Sequence, residues 1–415
     1  MYLKKICKIT IIFIFLASTL VHANNIDEEQ IDLTQIRQEL EEVSASATNI
    51  PDINSRSAIV LERTTKSILY GKNEYDVRKM ASTTKIMTAI VVIENADLYS
   101  TVTISKKAAA TGGSTLGISE GDKITVCDLL YGLLLKSGND TAVALAEHVG
   151  GSIEGFADMM NEKAKSLNLV NTHFVTPHGL DNDNHYTTAY ELALLTNYAL
   201  QNQTFANFVE TKNHTVTING NPKSISNTNE LLGNLNGVYG VKTGFTNGAN
   251  RCLVTACKRD NLDIICVVLG ADTKKFRTQD SIKLIEYAFQ KYQMFDIEKI
   301  VNESFLKWKQ ENISKFKINK GTTNNIDLEI PNINYKQYPV SKENINNIST
   351  SIDCKYTFNA PLVENTPIGN LQVIINKDNV LNFDIVNKIG IEKKNCFNYL
   401  KDFLAKFFKY LTINF

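Results

Sequence analysis

Three short stretches hold residues that could act on one substrate together. Ser82-Thr83-Thr84-Lys85 sets a hydroxyl and an amine three positions apart, Ser137-Gly138-Asn139 offers a hydroxyl and an amide, and Lys242-Thr243-Gly244 offers a cation and a hydroxyl. A serine hydroxyl is a poor nucleophile until a neighbouring base takes its proton. A lysine serves as that base only where burial and nearby cations pull its pKa towards neutrality, and Lys242 is a cation able to do so. The combination points to acyl transfer through a serine ester. Any one stretch alone reads as ordinary structure: a helix cap, a turn, a guarded edge strand.

Each stretch needs an element to aim it. Ile86-Met87-Thr88-Ala89-Ile90-Val91-Val92-Ile93 follows Lys85 and predicts a buried helix opening at or near Ser82. On its surface residues three apart share a face, so Lys85 points back at Ser82, and the helix N-terminus favours a developing oxyanion. Val126–Leu135 predicts a second apolar helix that ends at the 137–139 turn, and Thr141-Ala142-Val143-Ala144-Leu145-Ala146 restarts one. Ser137 is thereby placed to relay a proton to a leaving amine, and Asn139 to hold Lys85 and a substrate amide. Val238–Thr246 reads as a strand in which Gly244 clears space beside the cleft, while Lys242 and Thr243 suit a terminal carboxylate.

With these motifs on the page, and with Thr176-Pro177-His178-Gly179-Leu180 and His185-Tyr186-Thr187-Thr188-Ala189 beside them, the chain resembles the low-molecular-mass penicillin-binding proteins that act as serine-type D-alanyl-D-alanine carboxypeptidases, peptidase family S11. The resemblance is strong over residues 51–297 and weaker over the next hundred or so. It implies Ser82 as nucleophile, Lys85 as proton acceptor, Ser137 and Asn139 as second-motif residues, and Lys242 with Thr243 as carboxylate binders. It also implies an oxyanion hole from the backbone N–H groups of Ser82 and Phe245, the residue after Gly244. Better-known relatives carry histidine where this chain has Phe245, which touches side-chain tuning and not the backbone donor. The expected substrates are peptidoglycan stem peptides ending in D-Ala-D-Ala, with β-lactam antibiotics as covalent inhibitors and no cofactor. Two other functions compete with this one. A β-lactamase would need a glutamate-activated water, and Glu191-Leu192-Ala193-Leu194-Leu195 lacks the asparagine of the corresponding motif. A wall-binding scaffold would have no use for the base.

Composition fits an exported globular enzyme. The chain has 415 residues, 43% of them hydrophobic, and a formal net charge of +0. That balance gives no footprint for nucleic acid. Lys4, Lys5 and Lys8, then Ile9–Val21, then Val21-His22-Ala23 form the pattern of a secretory signal peptide over residues 1–23. Export would place the enzyme at the outer face of the cytoplasmic membrane, in the cell-wall space. Cys127, Cys252, Cys257, Cys266, Cys354 and Cys396 are scattered through apolar segments and read mostly as buried thiols, with a Cys252 pairing to Cys257 or Cys266 as the alternative. His173, His178 and His185 lack the partners of a zinc site, so no metal is expected.

The expected organisation is a polar lead segment over 24–50, a catalytic domain over 51–297, a small β-rich domain over 298–391 and an amphipathic helix over 392–415. The fold class is α+β, an antiparallel sheet covered by helices with a helical lobe between early and late strands, as in serine β-lactamases and penicillin-binding proteins. Within 298–391 the alternation at Ile352, Cys354, Tyr356 and Phe358, and again at Leu371, Val373 and Ile375, predicts strands. Phe397, Leu400, Phe403, Leu404, Phe407, Phe408 and Leu411 share one helical face flanked by lysines. That run is too charged to span a bilayer and suits a helix lying in the membrane interface, the alternative being a helix docked on the β-rich domain.

Overall fold

A computed structural model of the chain describes Thr34, residues 50–377 and residues 379–413. The expected signal peptide and most of the polar lead segment lie outside the described residues. The chain divides into two units. The first takes in Ile68–Arg259 and Asp263–Tyr287 with the residues up to Leu61; the second takes in Ala288 onward with the short stretches Glu62–Ser67 and Asp260–Leu262.

In the first unit, β1 (Ser57–Glu62) and β2 (Ile68–Lys72) form an antiparallel hairpin. A 3-10 turn, Ala81–Thr84, leads into α1 (Lys85–Asn95). Five of the residues from Ile86 to Ile93 are β-branched aliphatics, a poor helix composition. They form a helix because Lys85 through Val92 are all buried, so packing on every side outweighs propensity. Next come α2 (Val126–Leu134), capped by the Thr125 hydroxyl, and α3 (Asn139–Gly150). The second of these begins at Asn139 itself, two residues before the sequence suggested. Then α4 (Ile153–Ser166), α5 (Ala189–Ala199) and α6 (Gln203–Glu210) complete the helical lobe.

The hairpin β3 (Asn213–Ile218) with β4 (Asn221–Ser226) precedes the three long strands β5 (Val238–Thr246), β6 (Asn250–Arg259) and β7 (Leu262–Ala271). The main sheet has the order β2-β1-β7-β6-β5. Early and late strands therefore share one sheet with the lobe inserted between them, and β5, which carries Lys242-Thr243-Gly244, lies at its edge. The closing helix α7 runs over Lys274–Lys291.

The second unit holds β8 (Tyr292–Asp296), paired with β9 (Gln337–Ser341), and a sheet in which β10 (Ser349–Cys354), β11 (Pro367–Asn376) and β12 (Asn379–Asn387) are antiparallel neighbours. The alternating apolar residues Leu371, Val373 and Ile375 face its core. It also contains α8 (Ile297–Asn312), which the β-rich reading did not include. Its signals were present: Asp296 accepts the Lys299 N–H as N-cap, and Ile297, Val301 and Phe305 recur at helical spacing and are buried. Last comes α9 (Cys396–Ile413). Its side chains Phe397, Leu400, Phe403, Leu404, Phe407 and Phe408 are exposed, which disfavours docking on the β-rich sheet. No helix among the described residues is long and apolar enough to cross a membrane. The six cysteines from Cys127 to Cys396 are free thiols, so the Cys252 pairing does not occur.

Candidate active site

The Ser82 turn is held in an unusual backbone. Ala81 has φ +48°, in the left-handed region. Gly179 packs directly over it: a Cβ there would come 2.0 Å from the Ala81 carbonyl oxygen and 2.5 Å from Thr84 Oγ1. The Thr84 hydroxyl donates to Ala81 O at 2.7 Å and lies 2.8 Å from His185 Nε2. His185 Nδ1 accepts the Val175 N–H at 3.0 Å, so the ring proton sits on Nε2 and is donated to Thr84. Burial holds the His185 pKa down at about 4, so the ring stays neutral.

This turn puts Lys85 where it was expected, with the 3-10 geometry aligning positions i and i+3 even more closely than an α-helix does. Lys85 Nζ is 2.8 Å from Ser82 Oγ, 2.7 Å from Asn139 Oδ1 and 2.9 Å from the His178 carbonyl oxygen. The last two atoms can only accept. A neutral amine has two N–H bonds and one lone pair, so the N–H groups go to Asn139 and His178 and the lone pair is left for the Ser82 hydroxyl. The amine is fully buried, and burial first, then the Lys242 charge, push its pKa well below the ordinary lysine range, with Asp140 opposing.

The second wall is the 137–139 turn. Ser137 adopts φ +63°, and among the described residues its hydroxyl has no hydrogen-bond partner. Asn139 holds Lys85 as expected, but its Nδ2 donates to Gly112 O at 2.8 Å, so only one amide N–H remains for a substrate. Gly113 makes that contact fit, since a Cβ there would meet Nδ2 at 2.7 Å. Asp140, which the sequence reading passed over, accepts the N–H groups of Leu116, Gly117 and Thr141 at 2.8–2.9 Å and fixes the 112–118 loop to α3.

The third wall is β5. A Cβ at Gly244 would sit 3.1 Å from Ser82 N and 3.2 Å from Met80 O, so the strand backbone lies directly against the Ser82 turn. Lys242 is buried and donates to Thr243 O at 3.0 Å; burial and the Arg277 charge lower its pKa to about 7. Arg277 and Glu230 form a buried ion pair beside it, another feature no motif announced. Thr243 Oγ1 is 2.8 Å from Thr228 Oγ1. The Phe245 ring is partly exposed and stacks on the Arg251 guanidinium, 3.6 Å from the ring centroid. Asp181 ties this strand to the 176–181 loop, accepting from Thr246 Oγ1 at 2.6 Å and Gly248 N at 2.9 Å. Ser82, Lys85 and Asn139 are thus joined by direct hydrogen bonds, and the strand that carries Lys242, Thr243 and Gly244 lies against the Ser82 turn. Glu191, the lactamase candidate, is committed elsewhere: it accepts Asn171 N and the Thr172 hydroxyl and is capped into α5 by Thr188.

Comparison with known proteins agrees with this geometry. Residues 43–273 match the family model described as D-alanyl-D-alanine carboxypeptidase, and residues 305–393 match the C-terminal domain of penicillin-binding protein 5. The D-alanyl-D-alanine carboxypeptidase DacF of Bacillus subtilis is 32% identical over 367 residues, covering 86% of this chain and 90% of the relative. Among solved structures, the D-alanyl-D-alanine carboxypeptidase DacD from Francisella tularensis superimposes with a TM-score of 0.66 at 26% identity, over 83% of this chain and 95% of that one. The Streptomyces K15 DD-transpeptidase gives 0.56 at 36% identity, over 58% of this chain and 99% of its own. The chain belongs to the S11 family of serine D-alanyl-D-alanine carboxypeptidases, low-molecular-mass penicillin-binding proteins with a catalytic domain of mixed α+β fold followed by a β-rich C-terminal domain.

Proposed function

We propose that the enzyme removes the terminal D-alanine from peptidoglycan stem peptides through an ester on Ser82. The arrangement of three partners around Lys85 Nζ carries the reading, because it leaves a lone pair facing one hydroxyl. Ser82 Oγ attacks the penultimate D-alanine carbonyl and Lys85 takes its proton. The backbone N–H groups of Ser82 and Phe245 hold the oxyanion. Ser137 passes a proton to the departing amine, and Asn139 keeps Lys85 in place. Lys242, Thr243 and the neighbouring Arg277 bind the terminal carboxylate: two buried cations against the single carboxylate of Glu230 leave positive charge for it. Water then hydrolyses the ester. A β-lactam presents the same carbonyl and carboxylate and acylates the same oxygen.

The test is release of free D-alanine from a diacetyl-Lys-D-Ala-D-Ala type peptide, with mass spectrometry after penicillin treatment. Wild type should release D-alanine and carry the whole drug on the Ser82 peptide, and Ser82→Ala should do neither. An adduct elsewhere, or D-alanine release by Ser82→Ala, sinks the reading.

The domain limits proposed from the sequence are kept: signal peptide 1–23, lead segment 24–50, catalytic domain 51–297, β-rich domain 298–391 and amphipathic helix 392–415. The enzyme is exported and α9 rests its exposed apolar face on the outer surface of the cytoplasmic membrane. Sedimentation with phosphatidylglycerol vesicles should fall sharply for the double variant Phe403→Ser with Phe407→Ser, and unchanged binding would remove α9 from that role.

A further inference from the structure

Helix α7 carries one partner of two arginine–glutamate pairs, and the two are built differently. Arg259 of β6 and Glu286 of α7 meet in a fork: Nη1 donates to one carboxylate oxygen at 2.8 Å and Nη2 to the other at 2.6 Å. That geometry uses both oxygens and ties strand to helix. Arg277 of α7 and Glu230 meet at one point. Arg277 Nη2 and the Thr278 hydroxyl both donate to Glu230 Oε1. Glu230 Oε2 and Arg277 Nε are buried and have no hydrogen-bond partner among the described residues. A buried polar atom without a partner is unfavourable, so stability alone does not account for this one-armed pair.

Its place in the fold does. Glu230 stands two residues after Thr228, whose hydroxyl is 2.8 Å from that of Thr243. Asn227 Oδ1 accepts the Asn229 N–H at 2.9 Å and Asn229 Oδ1 accepts the Leu231 N–H at 3.1 Å, which fixes the stretch on both sides of Glu230. Arg277 is the charge that, after burial, lowers the Lys242 pKa. Glu230 therefore touches the cation that acts on Lys242. Burial favours the neutral acid of Glu230, but the Arg277 charge and the Thr278 hydroxyl outweigh it and hold the carboxyl below its usual range.

The other titratable groups around this strand do not supply that negative charge. Lys85 of α1 is an amine, and Asp140, which opposes the shift of Lys85 from α3, is taken up by backbone N–H groups. Cys252 of β6, opposite Gly244, stays a thiol because burial raises its pKa to about 11. Asp181 is bound to Thr246 and Gly248 at the end of β5.

We propose that Glu230 sets the charge of the carboxylate site: by partly balancing Arg277 it lets Lys242 keep its proton near neutral pH, so two cations and one anion meet the substrate's carboxylate. Glu230 is a positioning residue. It acts through Arg277 and takes no part in the proton transfers. With its charge gone, Arg277 would repel the Lys242 ammonium unopposed, and Lys242 would shed its proton at lower pH. This rests on the reading of Lys242 as a carboxylate binder.

The experiment follows kcat/KM for D-alanine release from diacetyl-Lys-D-Ala-D-Ala by the full chain, from about pH 5 to about pH 10. Glu230→Gln keeps an oxygen for Arg277 and Thr278 but no charge. Its falling limb should move down by about one pH unit, so that near pH 8 the rate relative to its own maximum drops about tenfold. Glu230→Asp keeps the charge on a shorter arm and should lower the maximum with the limb in place. The double variant Glu230→Gln with Arg277→Gln leaves no unpaired buried ion. Its maximum should fall with the loss of Arg277, yet its limb should move above the wild-type position. A purely structural Glu230 would lower the maximum in all three and leave the limb unmoved. That result, or a limb that drops in the double variant as in the single one, overturns the proposal. Lys242→Arg separates this failure from that of the underlying reading. A limb unmoved in Lys242→Arg takes the limb away from Lys242, and the proposal falls with it. A limb moved by Lys242→Arg but untouched by Glu230→Gln removes the role of Glu230 alone.

Discussion

The two units spend burial in opposite ways. The first buries Lys85, Lys242, Arg277, Asp140 and Asp280 around or near its sheet. From Ala288 onward, the described residues bury Asn312 and Asn387 as their only polar side chains, and the core there is aliphatic and aromatic. A buried charge costs several kcal/mol unless well paired, so a unit folding for stability alone avoids it. The first unit tolerates two amines beside each other because their mutual repulsion and desolvation are what make one of them a base. In physical terms, the difference separates a unit built to hold an unfavourable arrangement from one built only to bury area.

The sharpest way to break this contrast is Lys85→Met. Removing the base should cut the rate of penicillin acylation by about 10⁴-fold, measured by stopped-flow with a fluorescent penicillin. A small effect would mean that the buried amine is structural, and the two units would then differ in composition but not in purpose.

Gly179→Ala comes next. The added methyl meets Ala81 O, and φ at this position is +83°. We expect a loss of roughly 3 kcal/mol of stability in the first unit, with acylation slowed by about 10²-fold because the Ser82 turn must shift. Normal acylation with an unchanged melting curve would show that the tight packing over Ala81 is dispensable.

The same contrast marks what could be read in advance. Ser82, Lys85, Asn139 and the Lys242-Thr243-Gly244 strand were legible because their chemistry is written in residue type and short spacing. The strand Val238–Thr246 was legible because a short apolar run between turns leaves few options. Three supports were not. Gly179 matters through a contact with Ala81 about a hundred positions away, and nothing local to either says so. His185 works through Thr84, whereas the sequence marked it only within the 185–189 stretch and as one of three histidines without the partners of a zinc site. Arg277, whose charge adds to burial in lowering the Lys242 pKa, pairs with Glu230, and that pair joins a helix to a loop that no short pattern connects. Long-range partners that supply electrostatics or packing leave no periodic trace in the chain.

The pH profile probes the charge pair directly. Lys85 must be neutral to accept a proton, so kcat/KM rises as pH climbs through its depressed pKa. Lys242 must be charged to attract the carboxylate, so kcat/KM falls as pH rises past about 7. The result is a bell for the D-Ala-D-Ala peptide. Lys242→Arg keeps its charge at all these pH values, so the falling limb should move out of range even as the altered reach lowers the maximum by about tenfold. A limb that stays near pH 7 in Lys242→Arg would assign it to another group.

His185→Ala weakens a support and removes none of the reacting atoms. Thr84 loses a donor and the Val175 N–H an acceptor, which should cost about 1–3 kcal/mol and about tenfold in acylation. A positioning role predicts that His185→Gln, which retains a donor and an acceptor, recovers much of the rate with the pH profile unmoved. Failure of glutamine to rescue, together with a changed profile, would point to a titrating role for the ring.

The smallest effect on chemistry is expected where the effect on stability is large. Leu371 lies on β11 with no exposed surface, inside the apolar core of the second unit. Leu371→Ala should cost about 2–5 kcal/mol there by emptying a cavity. No charged group of the acyl-transfer site belongs to that core, so acylation per folded molecule should stay within about twofold of wild type. The informative measurement is acylation followed during a thermal or urea melt, next to the fluorescence of Trp308, which packs against the same core. If burial in the second unit serves only its own folding, the Trp308 transition shifts to milder conditions while Ser82 acylation persists beyond it. If both signals move together, the second unit's core contributes to the geometry around Lys85, and the division of labour drawn from the buried charges fails.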